Sequence, residues 1–373
     1  MAVISGNGDA RRTLIVIFLR GGADGLGLVA PLEDDNYYKA RPRIGLSKKE
    51  AVALDGFFGL HPEMTEFGRA FAEGDLAIVH GAGSEDKTRS HFEAQDLMEH
   101  GGIAAGGWLG RFLRARPPAA SGALACIAVG HALPECLLGA PSVTVMQTLD
   151  DFSLGGKAPG FRAQLERLYA LERGALAQAA SDTFDALQRI DAMRTTPYEP
   201  GNGATYGTDG FSQGLRQLAR LVKADIGLEA ASIDLDGWDS HFTQQTLLPA
   251  LARQLTNGVS AFRRDLGARM ATTTVVIMTE FGRRVRENSA FGTDHGRGSV
   301  MFVVGGGVKG GRVIGPWPGL NDDLLEGPGD LPVIHNYRNV LAPILRRHGA
   351  EEKDLASIFP DFAVAPVSLY GDA

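Results

Sequence analysis

The sequence predicts an α/β protein, a three-layer α/β/α sandwich with a mostly parallel central sheet. Short apolar runs rich in β-branched residues recur along the chain, and helical patterns separate them. This alternation is typical of strands that are buried on both faces between two layers of helices. The composition agrees, because 44% hydrophobic and 22% charged residues are ordinary values for a globular protein.

Seven apolar runs predict the central strands, and six amphipathic segments predict the helices that cover them. The predicted strands are residues 13–19, 76–80, 124–129, 143–146, 232–235, 274–279 and 300–304. The predicted helices are residues 62–73, 91–100, 161–193, 211–223, 242–266 and 336–348. Strands and helices therefore alternate over nearly the whole chain.

We expect one domain over residues 1–373, with a helical or loop insertion at about residues 150–210. Residues 195–210 combine Gly, Pro and Asn without periodicity, which predicts a long loop. The strands before and after this loop would each form only half of a sheet. The two halves are therefore expected to share one core.

The charge balance argues against a nucleic-acid partner. Lys and Arg number 37 and Asp and Glu number 44, which gives a net charge of −7, and no basic block is present. No apolar run approaches the roughly 18 residues of a membrane helix, so we expect a soluble protein without an integral membrane segment. The chain begins almost at its first strand, which fits either a cytoplasmic protein or an exported one whose signal is absent from this chain. The oligomeric state is left open.

Acidic residues and histidines follow three of the predicted strands. The six candidate metal ligands are Asp24, Asp239, His241, Glu280, Asp294 and His295. Each cluster alone also fits turn or capping residues, but the carboxyl ends of parallel strands meet at one edge of a sheet. Carboxylates and imidazoles together bind zinc or manganese, whereas oxygen-rich subsets suit magnesium or calcium. The sequence therefore predicts a divalent metal ion without distinguishing among zinc, manganese, calcium and magnesium.

Six motifs in a fixed order give the chain a strong resemblance to the DUF1501 family. They are LRGGADGL at the first strand, SHFEAQDLME at 90–99, DGWDSH at 236–241, TEFGRR at 279–284, GTDHGRG at 292–298 and GGGVKGGRVIG at 305–315. The family resembles a branch of the alkaline-phosphatase-like superfamily, which includes phosphatases, phosphodiesterases, phosphoglycerate mutases and sulfatases. The resemblance therefore implies an alkaline-phosphatase-like fold.

The resemblance also implies roles for individual residues. Asp24 corresponds to the metal-binding aspartate after the first strand of the superfamily, and Ser90 lies where its nucleophile is expected. Asp239 with His241 matches its middle Asp/His pair, and Asp294 with His295 falls near its last histidine ligand. These correspondences imply the same metal site that the strand ends suggest.

Glu280 marks a departure from the superfamily, which usually has an Asp-His dipeptide at this strand end. Replacement by Glu280-Phe281 removes a histidine ligand. A single metal, a different metal or an inactive site is therefore plausible in place of two zinc ions.

The candidate catalytic residues are Ser90, Arg283 and Arg297. Together with Arg20, the two arginines could bind an anionic substrate bidentately. Ser90 also fits a helix-capping role, because Ser90 and Glu93 match the S-x-x-E capping box, and both roles can hold at once. His91 is either a metal ligand or a residue that orients one.

These residues favour a metal-dependent hydrolase or transferase that acts on a small anionic substrate, a phosphate or sulfate ester. The metal would activate Ser90 or a water molecule as the nucleophile. The alternative is a non-catalytic binding or scaffold protein that retains the fold with a degenerate metal site.

Overall fold

The computed structural model describes residues 12–116, 122–154 and 160–371. The strands are β1 (Thr13–Leu19), β2 (Val29–Pro31), β3 (Val52–Ala53), β4 (Phe58–Leu60), β5 (Leu76–Gly83), β6 (Cys126–Val129), β7 (Thr144–Met146), β8 (Ala230–Leu235), β9 (Thr273–Thr279), β10 (Ser299–Gly305), β11 (Arg312–Ile314) and β12 (His335–Asn336). The helices are α1 (Gly25–Leu28), α2 (Asp35–Ala40), α3 (Thr65–Ala72), α4 (His91–His100), α5 (Trp108–Ala115), α6 (Phe161–Tyr169), α7 (Ala175–Arg194), α8 (Gly210–Lys223), α9 (Gln244–Leu266), α10 (Tyr337–Arg347) and α11 (Glu352–Ile358).

The central sheet has β1 in its interior. Its strands follow the order β11-β5-β10-β9-β1-β8-β6-β7, and β12 adds to β5. Strand β1 pairs in parallel with both β8 and β9, and among the described strands of this central sheet only the two pairings of β10, with β5 and with β9, are antiparallel. The prediction of a mostly parallel sheet is confirmed.

Strand β1 shows why the sheet lies between two layers, since all seven of its residues are buried. Side chains alternate between the faces of a strand. Ile15 and Ile17 accordingly join the apolar cluster that includes α3, α8 and α9. Val16 and Phe18 join the opposite cluster, which includes α5, α10 and α11. The three-layer sandwich is therefore confirmed as well.

The predicted elements match the structure except in short or interrupted segments. All seven predicted strands are present, and β1 and α4 have the predicted bounds. The helix predicted at 161–193 is divided into α6 and α7, and Gly174 between them has a left-handed φ of 76°. The prediction missed the small antiparallel sheet β2-β4-β3, whose strands of two or three residues are too short to show a period.

The predicted loop at 195–210 is confirmed up to α8, which begins at Gly210. The loop is fastened to α9, because the hydroxyls of Tyr198 and Tyr206 and the backbone N–H of Gly201 all donate to Asp265. The insertion at about 150–210 and the single domain stay predictions. None of the described helices has the length and apolar character needed to cross a bilayer.

The topology brings four chain segments to one edge of the sheet. Strands β1, β8 and β9 are parallel neighbours, so the loops after Leu19, Leu235 and Thr279 leave the sheet side by side. Strand β5 is antiparallel to β10, which is antiparallel to β9, so β5 ends at the same edge. The chain after β5 leads to α4. This edge therefore holds most of the predicted site residues.

Candidate metal centre

Two histidines and an aspartate converge at this edge. His91, Asp239 and His295 each offer one ligand atom, and these atoms lie within 4.8 Å of one another. His91 opens α4, Asp239 follows β8, and His295 lies in the segment between β9 and β10. A fourth side chain, His241, places its Nε2 3.1 Å from Asp239 Oδ1 and 2.9 Å from His295 Nε2.

The ring of His91 is oriented by a buried carboxylate. Its Nδ1 lies 2.8 Å from Oε1 of Glu280, which is fully buried and also accepts from Gln95 Nε2. Burial favours the neutral acid, but the hydrogen bonds from His91 and Gln95 outweigh it and lower the pKa of Glu280. The carboxylate therefore holds the proton of His91 on Nδ1. That leaves Nε2 as a buried nitrogen with no hydrogen-bond partner among the described residues, 3.6 Å from Asp239 Oδ2.

His295 is oriented by a backbone carbonyl. Its Nδ1 donates to the carbonyl of Arg89 over 2.9 Å, so its Nε2 carries the free lone pair, 3.1 Å from Asp239 Oδ1. Arg89 has a left-handed φ of 59°, and its Nε and Nη2 both donate to Oδ2 of the fully buried Asp330. The ion pair with Asp330 therefore fixes Arg89, and with it the Arg89 carbonyl that accepts from His295.

The arrangement of lone pairs fits a divalent cation. His241 Nδ1 faces Asp294 Oδ1 at 3.5 Å, which places its proton there and turns the Nε2 lone pair towards His295. Two imidazole Nε2 atoms 2.9 Å apart, with the Asp239 carboxylate beside both, repel one another unless a proton or a metal cation is shared between them. Ligand atoms of a tetrahedral zinc site are about 3.3 Å apart, close to these separations.

Asp239 is kept ionised by Arg283. Its side chain is 47% exposed, and Oδ1 accepts from Arg283 Nη2 over 2.6 Å. Burial would raise the pKa of Asp239, but the hydrogen bond and charge of Arg283 outweigh it and bring the pKa to about 2. The carboxylate is therefore available as a ligand over the whole physiological pH range.

Arg283 itself is closed off from a substrate. Its side chain has no exposed surface. Apart from the Asp239 contact, it donates to backbone carbonyls in the three loops at the sheet edge, those of Gly21, Gly22, Trp238 and Thr293. This differs from the sequence expectation of a substrate-binding arginine, because the guanidinium instead ties the loops together and positions Asp239.

Asp24 lies apart from the converging ligands. Its Oδ2 accepts from Arg41 Nη1 and from Gln244 Nε2, both at 2.5 Å, and its Oδ1 accepts from Arg41 Nη2 at 2.9 Å. Asp24 and Arg41 are both buried. The structure therefore departs from the expectation that Asp24 binds the metal, because a guanidinium and an amide already occupy its carboxylate.

The other two predicted ligands, Glu280 and Asp294, do not belong to the converging group but contact histidines at the site. Glu280 contacts His91, and Asp294 contacts His241, Asn288 Nδ2 at 3.2 Å and Arg284 Nη1 at 3.5 Å. Burial opposes ionisation of Asp294, but Asn288 and Arg284 lower its pKa overall. Both acids therefore contact candidate ligands in this structure instead of joining the converging group.

Ser90 is the residue before His91 and the N-cap of α4. Its side chain makes no capping hydrogen bond within the described residues, so the capping role that the sequence allowed is not seen. The half-buried hydroxyl stands at the positive end of a ten-residue helix. That end of the helix favours an anionic oxygen.

Arg297 and Arg20 serve other parts of the structure. Arg297 donates to the carbonyls of Ser84 and Asp86 and pairs with Glu326, so it holds the segment between β5 and α4 instead of facing a substrate. Arg20 pairs with Glu99 and Asp234. Neither guanidinium meets the expectation of an anion-binding arginine.

Sequence reasoning left the role of His91 open, and it missed the support that Phe281 gives. The Phe281 ring is buried, with its centroid 4.9 Å from that of His91 and 4.8 Å from that of His295. Phe281 therefore packs against both histidine rings of the converging group. One feature of the sequence could have identified His91 as a candidate ligand. It begins a helix that follows β5, and β5 ends at the edge of the sheet where the other candidates lie.

Comparison with solved structures gives distant similarities. Three solved structures resemble this chain with low sequence identity and low TM-scores. Ps i-CgsB in complex with k-i-k-neocarrahexaose has 10% identity and a TM-score of 0.34, over 92% of this chain and 73% of that chain. The PsFucS1 sulfatase from Pseudoalteromonas sp. has 10% identity and a TM-score of 0.37, over 92% and 68%. The phosphonate monoester hydrolase of Agrobacterium radiobacter has 9% identity and a TM-score of 0.31, over 82% and 70%.

The sequence matches a protein-family model but no individual curated protein. No curated protein matches it significantly. The model of a family described as "Protein of unknown function (DUF1501)" matches residues 11–357. Because this match covers nearly the entire sequence, the chain belongs to the DUF1501 family.

Proposed function

We propose that this protein is a metal-dependent hydrolase or transferase that acts on a phosphate or sulfate ester. His91, His241 and His295 would bind the metal through Nε2, and Asp239 through its carboxylate. The observation that carries the proposal is the buried Nε2 of His91, which has no hydrogen-bond partner in the described structure and faces the ligand atoms of Asp239 and His295. Oriented imidazoles backed by carboxylates or carbonyls are typical of metal sites.

The ligand set favours one transition-metal ion. Three imidazole nitrogens and one carboxylate suit zinc or manganese better than calcium or magnesium, which prefer oxygen ligands. A second ion would need a further free carboxylate, and Arg41 already neutralises Asp24. When bound, the ion would polarise an ester oxygen and lower the pKa of a nearby hydroxyl or water.

Ser90 is the proposed nucleophile. Its hydroxyl makes no capping bond in the described structure, and it stands directly before His91 at the N-terminus of α4. The backbone N–H groups of that helix end would stabilise negative charge on the attacked group. Ser90 would thus act on an ester held between α4 and the histidines.

Arg284 is the proposed anion-binding arginine, in place of Arg20, Arg283 and Arg297, which the sequence analysis suggested for this role. Its side chain is 35% exposed, and its Nε has no hydrogen-bond partner among the described residues. Its Nη1 lies 3.5 Å from Asp294, at the edge of the site. Because Nε is buried, only the exposed end of the Arg284 guanidinium can meet a substrate, and we assign that end to the phosphate or sulfate group.

Metal content and ester hydrolysis together test the proposal. Protein stripped by a chelator and reloaded should hold one zinc or manganese ion per chain by mass spectrometry, and should hydrolyse an aryl phosphate, phosphodiester or sulfate. Ser90→Ala should abolish hydrolysis and retain the metal, while Ser357→Ala on α11 serves as the matched control. Protein that refuses metal overturns the proposal. Protein that binds metal but hydrolyses none of these esters supports the non-catalytic binding protein instead.

A further inference from the structure

Two exposed phenylalanines lie on the loops that carry the candidate metal ligands His241 and His295. Phe242 is 63% exposed and Phe291 is 45% exposed. Phe242 directly follows His241, and the two ring centroids are 6.3 Å apart. Phe291 lies four residues before His295. The two exposed rings therefore belong to the loops that carry His241 and His295.

The two loops that carry these rings are fastened to each other. The N–H of Thr243 donates to the carbonyl of Ala290, and the N–H of Gln244 donates to that of Phe291, over 3.1 and 2.9 Å. Asn288 Nδ2 donates both to the carbonyl of His241 and to Asp294 Oδ1. The backbone that carries the two rings is therefore fixed relative to His241 and Asp294.

The backbone of both loops is held in an unfavourable conformation. Thr243 has φ of 48° and Phe291 has φ of 60°, in the left-handed region that β-branched and aromatic residues rarely adopt. Glycine or asparagine would relieve this strain. Retained strain of this kind is typical of binding sites, where the surrounding structure imposes it. An exposed phenyl ring at such a position is therefore better explained by ligand contact than by folding.

The Phe291 ring is also held from one side. The guanidinium carbon of Arg43 lies 4.2 Å from the centre of the ring, a cation–π contact. Arg43 is fixed in turn by its ion pair with Glu287. The ring is thus pre-oriented, which lowers the entropy that a ligand must remove on stacking against it.

We propose that Phe242 and Phe291 bind the organic group of the substrate, so the substrate is a phosphate or sulfate ester whose organic group presents a flat apolar face, such as an aryl ring. This inference rests on the proposed function, because the metal centre would hold the anionic end of the same molecule. Aromatic side chains stack well on flat apolar groups. The rings thereby select among esters, while the metal-binding residues accept the anionic group that all of them share.

Binding of two non-hydrolysable probes tests the inference. Calorimetric titration of the zinc-loaded full chain with 1-naphthylphosphonate and with methylphosphonate should give affinity at least tenfold higher for the naphthyl probe. Phe242→Ala and Phe291→Gly should each remove most of that difference and leave the methylphosphonate affinity unchanged. Phe291→Gly also relieves the left-handed backbone, so we expect it to fold. The matched control is Phe161→Ala on α6, where an exposed phenylalanine lies on another element.

The outcomes separate this inference from the proposed function. Equal affinity for the two probes, or a preference that survives both variants, overturns the aromatic contact and leaves the metal-dependent function standing. Failure of zinc-loaded protein to bind either probe removes both. If sedimentation shows that wild-type protein self-associates and Phe242→Ala does not, the rings form an interface between two copies, which also overturns the inference.

Discussion

Asp24 and Asp239 have similar positions in the sequence but different environments in the structure. Both follow parallel neighbouring strands, β1 and β8, and both lie in glycine-containing turns. Asp24 is buried against Arg41, whereas the Asp239 side chain is 47% exposed beside three histidine rings. The comparison teaches that the position of an acid after a strand predicts its place in the fold, while its partners from distant segments decide its role.

The partners of Asp24 and Asp239 differ in whether they leave a carboxylate oxygen available to a cation. The guanidinium of Arg41 and the amide of Gln244 take up the oxygens of Asp24. Asp239 gives one oxygen to Arg283, while its Oδ2 lies 3.6 Å from His91 Nε2, which has no hydrogen-bond partner among the described residues. The Asp24 pair therefore stabilises the fold, and the Asp239 group is open to a cation.

The largest expected effect is on metal binding, from His295→Ala. Loss of a ligand should lower the zinc affinity by more than the roughly 10–100-fold that loss of an orienting partner causes. Competition with a chromogenic chelator measures the change. His335→Ala is the matched control, because His335 also has a buried Nε2 without a partner in the described structure but stands outside the converging group. Equal losses in the two variants would contradict the assignment.

The second effect is on stability, from Asp24→Ala. This variant leaves the Arg41 guanidinium buried without its carboxylate, which should lower the free energy of unfolding by about 3–5 kcal/mol. Urea denaturation measures it, and the folded fraction should still bind one metal ion per chain. The double variant Asp24→Leu/Arg41→Met should recover most of the loss, because it removes both charges. Loss of metal from folded Asp24→Ala protein would instead restore Asp24 as a ligand.

A third, smaller effect is expected from Glu280→Gln. The amide retains an acceptor for the N–H of Gly21 but holds the His91 ring less strongly than the carboxylate does. Metal affinity should fall by about 10–100-fold. The same chelator competition measures this, with thermal unfolding as the check on folding. An unchanged affinity would show that His91 does not bind the ion.

The smallest effect is expected from Asp330→Asn. This change weakens the contact that holds Arg89, whose carbonyl orients His295. Because Asp330 acts on the ligand only through Arg89, metal affinity should fall by less than about tenfold, below the effect of an immediate partner. A loss larger than that of Glu280→Gln would show that Asp330 has a more direct part in the site.

Much of the sheet and part of the site could be predicted from sequence. Strand β1 is a continuous apolar run that ends at Arg20, so its bounds were clear, and strand order brought Asp239, His241 and His295 together as expected. The approach of Arg41 to Asp24 depends on the tertiary path of the chain after α2, which no local pattern encodes. A sequence also does not show whether an arginine faces solvent or donates to carbonyls, as Arg283 does.

The interior position of β1 has a consequence for how the chain folds. Its two neighbours in the sheet begin only at Ala230 and Thr273. At synthesis rates of about 5–20 residues per second, β1 waits roughly 10–40 seconds for its first partner. An unpaired apolar strand is prone to aggregate during that interval. Because His295 emerges later still, and β10, β11 and β12 follow it, both the candidate metal centre and the central sheet can be completed only when most of the chain has been synthesised.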